Sequence, residues 1–122
     1  MRVITGTARG RVLRTLEGED VRPTTDRVKE AVFSIIQFEI EGRRVLDLFA
    51  GSGQLGIEAL SRGADSATFV DMSKDSLATV KYNLEHTKLG DRAKVIQTDA
   101  LSFLKLTKDR FDIVFIDPPY AS

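Results

Sequence analysis

Apolar residues recur in this chain with two different periods. From Val45 onward, short apolar runs alternate with stretches whose apolar positions return every three or four residues, the pattern of a parallel sheet with crossover helices. The first run, Val45-Leu46-Asp47-Leu48, stops in Phe49-Ala50-Gly51-Ser52-Gly53-Gln54 and restarts as a helix from Leu55 to Arg62 that ends at Gly63. Ala67-Thr68-Phe69-Val70 is a second predicted strand closing on Asp71, and Ser73 caps a helix whose buried face is Leu77, Val80 and Leu84. Lys94-Val95-Ile96-Gln97 is a third, followed by Thr98-Asp99 and a helix with Leu101, Leu104 and Phe103. The fourth, Phe111 to Ile116, is the most apolar, which argues for a central position.

Ahead of this alternation, residues 2–5 and 11–16 read as a hairpin joined by Gly6-Thr7-Ala8-Arg9-Gly10. Arg22-Pro23-Thr24-Thr25-Asp26 starts a helix, with a threonine N-cap and an acid in its first turn. Val28, Ala31, Val32, Ile35 and Ile36 form one apolar stripe on it, and Gly42 is the expected stop.

Composition adds few constraints. Eighteen basic residues balance eighteen acidic ones in 122, so net charge says nothing about partners, but its placement does. Arg2, Arg9, Arg11 and Arg14 lie in the first fourteen residues with no acid among them. They fit either a phosphate-contacting face or a charged edge that discourages strand pairing. There is no cysteine, hence no disulfide or thiolate metal site, and no metal is expected. No apolar run is long enough for a membrane span, and the N-terminus has no signal-like apolar core. Cytoplasmic location and no membrane partner are the expectations.

Gly51, Gly53 and Gly56 fit G-x-G-x-x-G, the spacing that lets backbone approach a nucleotide. A pyrophosphate would be drawn to the N-terminus of the following helix, yet Asp47 ends the strand just before it. A carboxylate there repels a phosphate and favours an ammonium or sulfonium, which points to S-adenosylmethionine (SAM) rather than a dinucleotide. Asp47, Asp71, Asp99 and Asp117 each follow a predicted strand, so they should line one crevice at the carboxyl edge of the sheet. Asp71, twenty residues after Gly51, suits ribose hydroxyls; Asp99 either approaches an adenine amino group or caps a helix.

The terminal Asp117-Pro118-Pro119-Tyr120 is the most specific element after the glycine loop. Two prolines fix φ and remove two N–H donors, leaving carbonyl acceptors. Beside Asp117 and the flat face of Tyr120, that rim suits a planar base with an exocyclic amine.

Val45-Leu-Asp-Leu-Phe-Ala-Gly-Ser-Gly, Asp71 and Asp117-Pro-Pro-Tyr together resemble SAM-dependent amino methyltransferases of nucleic-acid bases. Arg2-Val-Ile-Thr-Gly, Gly10-Arg11, Arg22-Pro-Thr-Thr-Asp-Arg-Val-Lys-Glu-Ala-Val-Phe and Gly56-Ile-Glu-Ala-Leu-Ser-Arg-Gly-Ala narrow it. They are similar to bacterial enzymes that methylate the N2 of a guanine in 16S ribosomal RNA of the small subunit. The resemblance implies a Rossmann-like α/β methyltransferase fold with strand order 3-2-1-4, preceded by the hairpin and helix. It also implies a SAM-binding set of Asp47, Phe49, Ala50, Gly51, Gly53, Asp71, Met72, Asp99 and Ala100. Asp117, Pro118, Pro119 and Tyr120 would form the catalytic pocket for the base. The implied partner is ribosomal RNA or the small subunit, met by Arg2, Arg9, Arg11 and Arg22 on an RNA-facing segment 1–42. Residues 43–122 would be the first part of the SAM-binding domain.

Seven strands and six helices would need roughly 160–170 residues, whereas 122 − 42 = 80 follow Gly42. The chain is therefore expected to be the N-terminal portion of such an enzyme. Its apolar fourth strand would be a bare edge inviting self-association. Three rival readings are adenine-N6 or cytosine-N4 methylation, an NAD-dependent oxidoreductase, and a non-catalytic RNA-binding module.

Overall fold

In the computed structural model, which describes residues 1–16 and 26–118, four parallel strands pair in the order β3-β2-β1-β4. They are β1 (Arg44–Asp47), β2 (Ser66–Asp71), β3 (Ala93–Gln97) and β4 (Ile113–Phe115). The helices are α1 (Asp26–Ile36), α2 (Gln54–Ser61), α3 (Lys74–Thr87) and α4 (Ala100–Leu106). This is the Rossmann-like order expected, with register set by Val45 opposite both Ala67 and Ile113. Among the described residues, no helix is long and apolar enough to cross a membrane.

The pleat separates two cores. Val45, Ala67, Phe69 and Phe115 share one cluster with Phe33, Ile57, Leu60, Leu77, Val80 and Leu84 of the helices and Val3, Ala8 and Leu13 of the N-terminal segment. Leu46, Leu48, Val70 and Phe103 form the smaller cluster on the opposite face, where α4 lies. Alternation along β1 explains this division, since neighbouring residues point to opposite faces.

The N-terminal segment does form a hairpin: Val3 N–H bonds Arg11 O at 2.9 Å, Gly10 N–H bonds Val3 O at 2.9 Å, and Leu13 N–H bonds Met1 O at 2.8 Å. It is not a free-standing edge. Glu58, in the middle of α2 and fully buried, accepts Ile4 N–H at 2.8 Å and Thr5 N–H at 3.0 Å. Ser61 accepts from Ala8 N–H and donates to Thr5 O. The same Glu58 carboxylate lies 3.5 Å from Lys29 Nζ and 2.8 Å from Arg62 Nε, which places a compensated charge cluster between hairpin, α1 and α2.

Five expectations need correction. On α1 the predicted stripe is not the buried face: Lys29 and Phe33 are buried, Val32 and Ile36 only partly, and Ile35 is 82% exposed. The pairing of Lys29 with Glu58 and the packing of Phe33 on Phe115, with centroids 5.5 Å apart, rotate the helix away from its most apolar stripe. The helix also ends at Ile36 rather than near Gly42. Gln37 Nε2 donates to Ser34 O and Glu39 N–H to Ile36 O, which closes the last turn early. The expected threonine cap at 24–25 lies outside the described residues.

On α4, Phe103 is buried while Leu101 and Leu104 are exposed, because Phe103 and Ala100 are the α4 residues that pack on the Leu46 cluster, Phe103 also against Phe111. Strand β4 is an edge among the described strands, as the order 3-2-1-4 implies and against the central position its apolarity suggested, and it covers three residues, not six. Asp112 is diverted from pairing: its Oδ2 accepts Arg44 N–H at 2.9 Å and its N–H bonds Arg44 O at 2.8 Å. Helix α2 meets its expected stop. Gly63 N–H bonds Leu60 O and Ala64 N–H bonds Ala59 O, the paired bonds of a Schellman ending.

Candidate active site

All four strand-end acids follow the carboxyl ends of parallel strands, so the topology brings Asp47, Asp71, Asp99 and Asp117 to one edge of the sheet. Their environments differ. Asp47 is 1% exposed, and its Oδ2 accepts Gly56 N–H at 3.0 Å. The N-cap of α2 is Gly53, which has no side chain to accept an orphan N–H. Asp47 supplies that acceptor from β1, with its negative charge at the positive end of the helix. The expected carboxylate facing a cationic ligand thus first braces the loop.

Asp71 is half-buried and ties the loop to the next helix. Its Oδ2 accepts Gly51 N–H at 3.0 Å and its Oδ1 accepts Ser73 N–H at 2.8 Å. An ionised carboxylate has about four lone-pair sites, so both oxygens keep acceptor capacity for hydroxyl groups. Ser73 in turn accepts Ser76 N–H at 3.1 Å, as its predicted cap role requires.

Asp99 caps α4: Oδ1 accepts Ser102 N–H at 2.8 Å and Oδ2 accepts Ser102 Oγ–H at 2.7 Å. The Ser102 hydroxyl, and then its amide, hold this carboxyl below the usual range. Asp117 and Pro118 follow β4 and are half-buried. Pro119 and Tyr120, the remaining members of the expected base pocket, lie outside the described residues.

The glycine loop is shaped for close approach. Gly53 has φ +84, and a Cβ there would meet Val80 Cγ2 at 3.1 Å. A Cβ on Gly56 would fall 2.4 Å from Phe69 Cε1, so this third glycine lets α2 lie against β2. Ala50 N–H bonds Val70 O at 3.0 Å and Gly53 N–H bonds Ala50 O at 2.7 Å, which fixes the turn on both sides. Phe49 is half-buried, Met72 is exposed beside Asp71, and Ala100 is half-buried after Asp99.

Ser52 adds a feature that residue order did not suggest. It is buried, and its Oγ has no hydrogen-bond partner among the described residues. Such an orphan in a glycine loop is the polar anchor a bound carboxylate or hydroxyl would satisfy. Asn83 was not anticipated either. Fully buried on α3, it donates through Nδ2 to Ser52 O at 3.0 Å and to Arg14 O at 2.9 Å, and its Oδ1 accepts Arg14 N–H at 2.8 Å. A polar residue on the apolar face of a predicted helix was the signal available for it.

The arginines are only partly gathered. Arg2 and Arg9 border a hollow of about 220 Å³ shared with Asp26 and Glu30, so acids on α1 partly offset their charge. Arg11 is exposed on the opposing arm, and Arg22 lies outside the described residues. A cleft of about 650 Å³ opens at the other end of the sheet, beside Arg44, Ser66 and Ala93, where the strands begin; it contains none of the four acids. Among the described residues, no group of three or more His, Asp or Glu side chains could hold a metal ion.

Known proteins resemble this chain in sequence and in fold. Ribosomal RNA small subunit methyltransferase D of Haemophilus influenzae is 45% identical over 123 residues, covering 98% of this chain and 64% of its own length. The chain therefore spans less than two thirds of that relative. A solved Escherichia coli protein described as a methyltransferase superposes with a TM-score of 0.88 at 43% identity, covering 98% of this chain and 65% of that one. A further protein described as a methyltransferase, solved with SAH, has a TM-score of 0.65 at 26% identity, covering 75% of this chain and 24% of the other. The profile of one family matches residues 1–122 throughout. On fold, glycine loop and profile together, the chain belongs to the family described as Conserved hypothetical protein 95.

Proposed function

We propose that this chain comes from a SAM-dependent methyltransferase that modifies the exocyclic N2 of a guanine in 16S ribosomal RNA. The observation that carries the reading is the shared edge: Asp47 receives the N–H of Gly56 in the first turn of α2 and Asp71 that of Gly51 in the glycine loop, and Asp117 stands at the end of the strand beside β1. The Haemophilus relative bears the name of a small-subunit rRNA methyltransferase, which supports the substrate class. The guanine-N2 assignment leans on the likeness of the N-terminal segment, since Asp-Pro-Pro-Tyr alone also admits adenine-N6 or cytosine-N4 chemistry.

The loop fits the cofactor chemically. Ser52 Oγ and the remaining lone pairs of Asp71 offer polar contacts, while Gly51 and Gly53 keep side chains out of the way. In this reading Asp47, Phe49, Ala50, Gly51 and Gly53 frame the amino-acid end, Asp71 and Met72 the ribose, and Asp99 and Ala100 the adenine. When bound, SAM supplies an electrophilic methyl group.

The chain's own residues do the rest. A guanine amine is a poor nucleophile because its lone pair is delocalised into the ring. In this reading Asp117 Oδ and a proline carbonyl of the Asp-Pro-Pro-Tyr segment accept its two N–H bonds, which draws the nitrogen toward a pyramidal shape and frees that pair. Tyr120 holds the ring plane, and positioning rather than strong base catalysis supplies most of the acceleration. The base must leave its stack to reach such a pocket. The segment 1–42 is the RNA-facing part, with Arg2, Arg9, Arg11 and Arg22 meeting phosphates.

Labelled methyl transfer to naked 16S RNA and to small subunits, followed by nucleoside mass analysis, tests the reading. N2-methylguanosine that disappears in Asp117→Ala supports it. Transfer that survives the substitution, or a different methylated nucleoside, overturns the site or the base assignment respectively.

A further inference from the structure

The second arm of the hairpin ends in an arrangement that the methyl-transfer site does not use. Asn83 fixes the Arg14 backbone from both sides, and the Arg14 guanidinium lies 3.7 Å over the centre of the Tyr82 ring. One turn along α3, the His86 ring runs nearly parallel to Tyr82, 11° apart in plane with centroids separated by 6.0 Å. Three flat groups thus stand together on the outer side of α3. Tyr82 is 41% exposed, and Arg14 and His86 are exposed too. Among the described residues Arg14 has no carboxylate partner. Beside the stack is a hollow of about 630 Å³, bordered by Arg14, Leu16, Ser73, Asp75 and Thr79.

Fastening the hairpin to α3 requires only the buried Asn83 amide, which already satisfies both backbone groups. An exposed guanidinium held over an exposed ring offers something further, a cationic π-surface open to a planar ligand. Unpaired bases stack on aromatic faces and on arginine planes, and the contact tolerates any base because every base has a π-face. We propose that Arg14, Tyr82 and His86 form a stacking platform for an unpaired nucleotide of the RNA, separate from the base to be methylated. Through Asn83 the platform is one residue away from Ser52 O in the glycine loop, so the contact would lie along the flank of the cofactor site. The proposal rests on the reading of RNA as substrate.

The test measures binding of a short fluorescent single-stranded oligoribonucleotide, and of an abasic strand of the same length, to the chain and to Tyr82→Leu, Tyr82→Phe and His86→Leu. The expected result is a wild-type preference for the base-bearing strand. Tyr82→Leu should weaken that strand's binding about five- to 150-fold and remove the preference, whereas Tyr82→Phe keeps both. Affinity for S-adenosylhomocysteine should stay unchanged in all of them. Equal RNA affinity in folded Tyr82→Leu and His86→Leu, with wild type binding well, overturns the platform alone. Failure of the wild type to bind either strand overturns the RNA reading with it. Should Tyr82→Leu not fold, His86→Leu alone decides: weakened binding supports the platform and unchanged binding overturns it.

Discussion

Lys29 Nζ lies 3.5 Å from Glu58 Oε1, and neither side chain touches solvent. The pair is asymmetric. Glu58 also receives two backbone N–H groups and Arg62, while Lys29 donates to the Arg2 carbonyl at 2.8 Å and feels the weaker attraction of Asp26. Burial outweighs the attraction of Glu58 and lowers the Lys29 pKa below the usual 10.5.

Glu58→Gln should therefore cost about 3–5 kcal/mol, because it leaves a buried ammonium without its counter-charge. Lys29→Met should cost only about 1–2 kcal/mol, since it preserves volume and Glu58 keeps its other donors. Urea unfolding of the two variants checks the order. The sign of the pH effect also follows. Between the lowered pKa of Lys29 and 10.5 the unfolded chain binds more protons than the folded one, so this group makes stability rise with pH there. Lys29→Met should lack that rise.

Gly56→Ala drives a methyl group to 2.4 Å from the Phe69 ring. Overpacking of this kind costs typically about 1–3 kcal/mol, and the helix start must shift away from β2. Thermal unfolding should show the loss, and calorimetry should show weaker binding of S-adenosylhomocysteine. A Gly56→Ala variant with wild-type stability would contradict the close approach.

Asp99→Ala removes the cap of α4. The wild-type carboxyl is held below the ordinary value of 3.8 by the Ser102 hydroxyl and amide. Its contribution is therefore complete above that ordinary value and is lost as pH falls through the lowered one. The stability gap between wild type and Asp99→Ala should be widest near neutrality and shrink in acid. Denaturant midpoints taken in steps from neutrality into strong acid would show whether the gap closes in that direction.

Strand β4 presents an edge among the described strands, with Ile116 just beyond it 65% exposed. We expect self-association of this chain through that edge, with concentration-dependent sedimentation reduced by Ile116→Lys. A single monomeric species at high concentration would remove this expectation.

Much of this arrangement could be read from residue order. Short apolar runs and three-to-four-residue spacing located the four strands and three α-helices described from Val45 onward, though not the 3-10 turn at Gly90–Arg92, and the acid after each strand located the edge where they gather. What escaped was set by partners distant in sequence. Helix α1 turns Val28, Ala31 and Ile35 outward and only Val32 and Ile36 of the stripe toward the core, because Lys29 and Phe33 find Glu58 and Phe115, and no local pattern encodes those meetings. Asp47 and Ser52 show the same limit. A carboxylate and a hydroxyl beside a glycine turn look alike as potential ligand contacts, and only the fold reveals that one caps α2 while the Ser52 hydroxyl is left without a partner among the described residues.

Helix α2 is eight residues long, a rod of about 12 Å at the usual rise per residue. Its first turn abuts the glycine loop through Gly56 and Asp47; from its middle onward it carries the hairpin through Glu58 and Ser61. A short helix with no internal hinge passes on displacement rather than absorbing it. Any load that pulls the arginine-bearing arm is therefore felt at Gly53, and tightening of the loop around a bound molecule would tilt the arm in return.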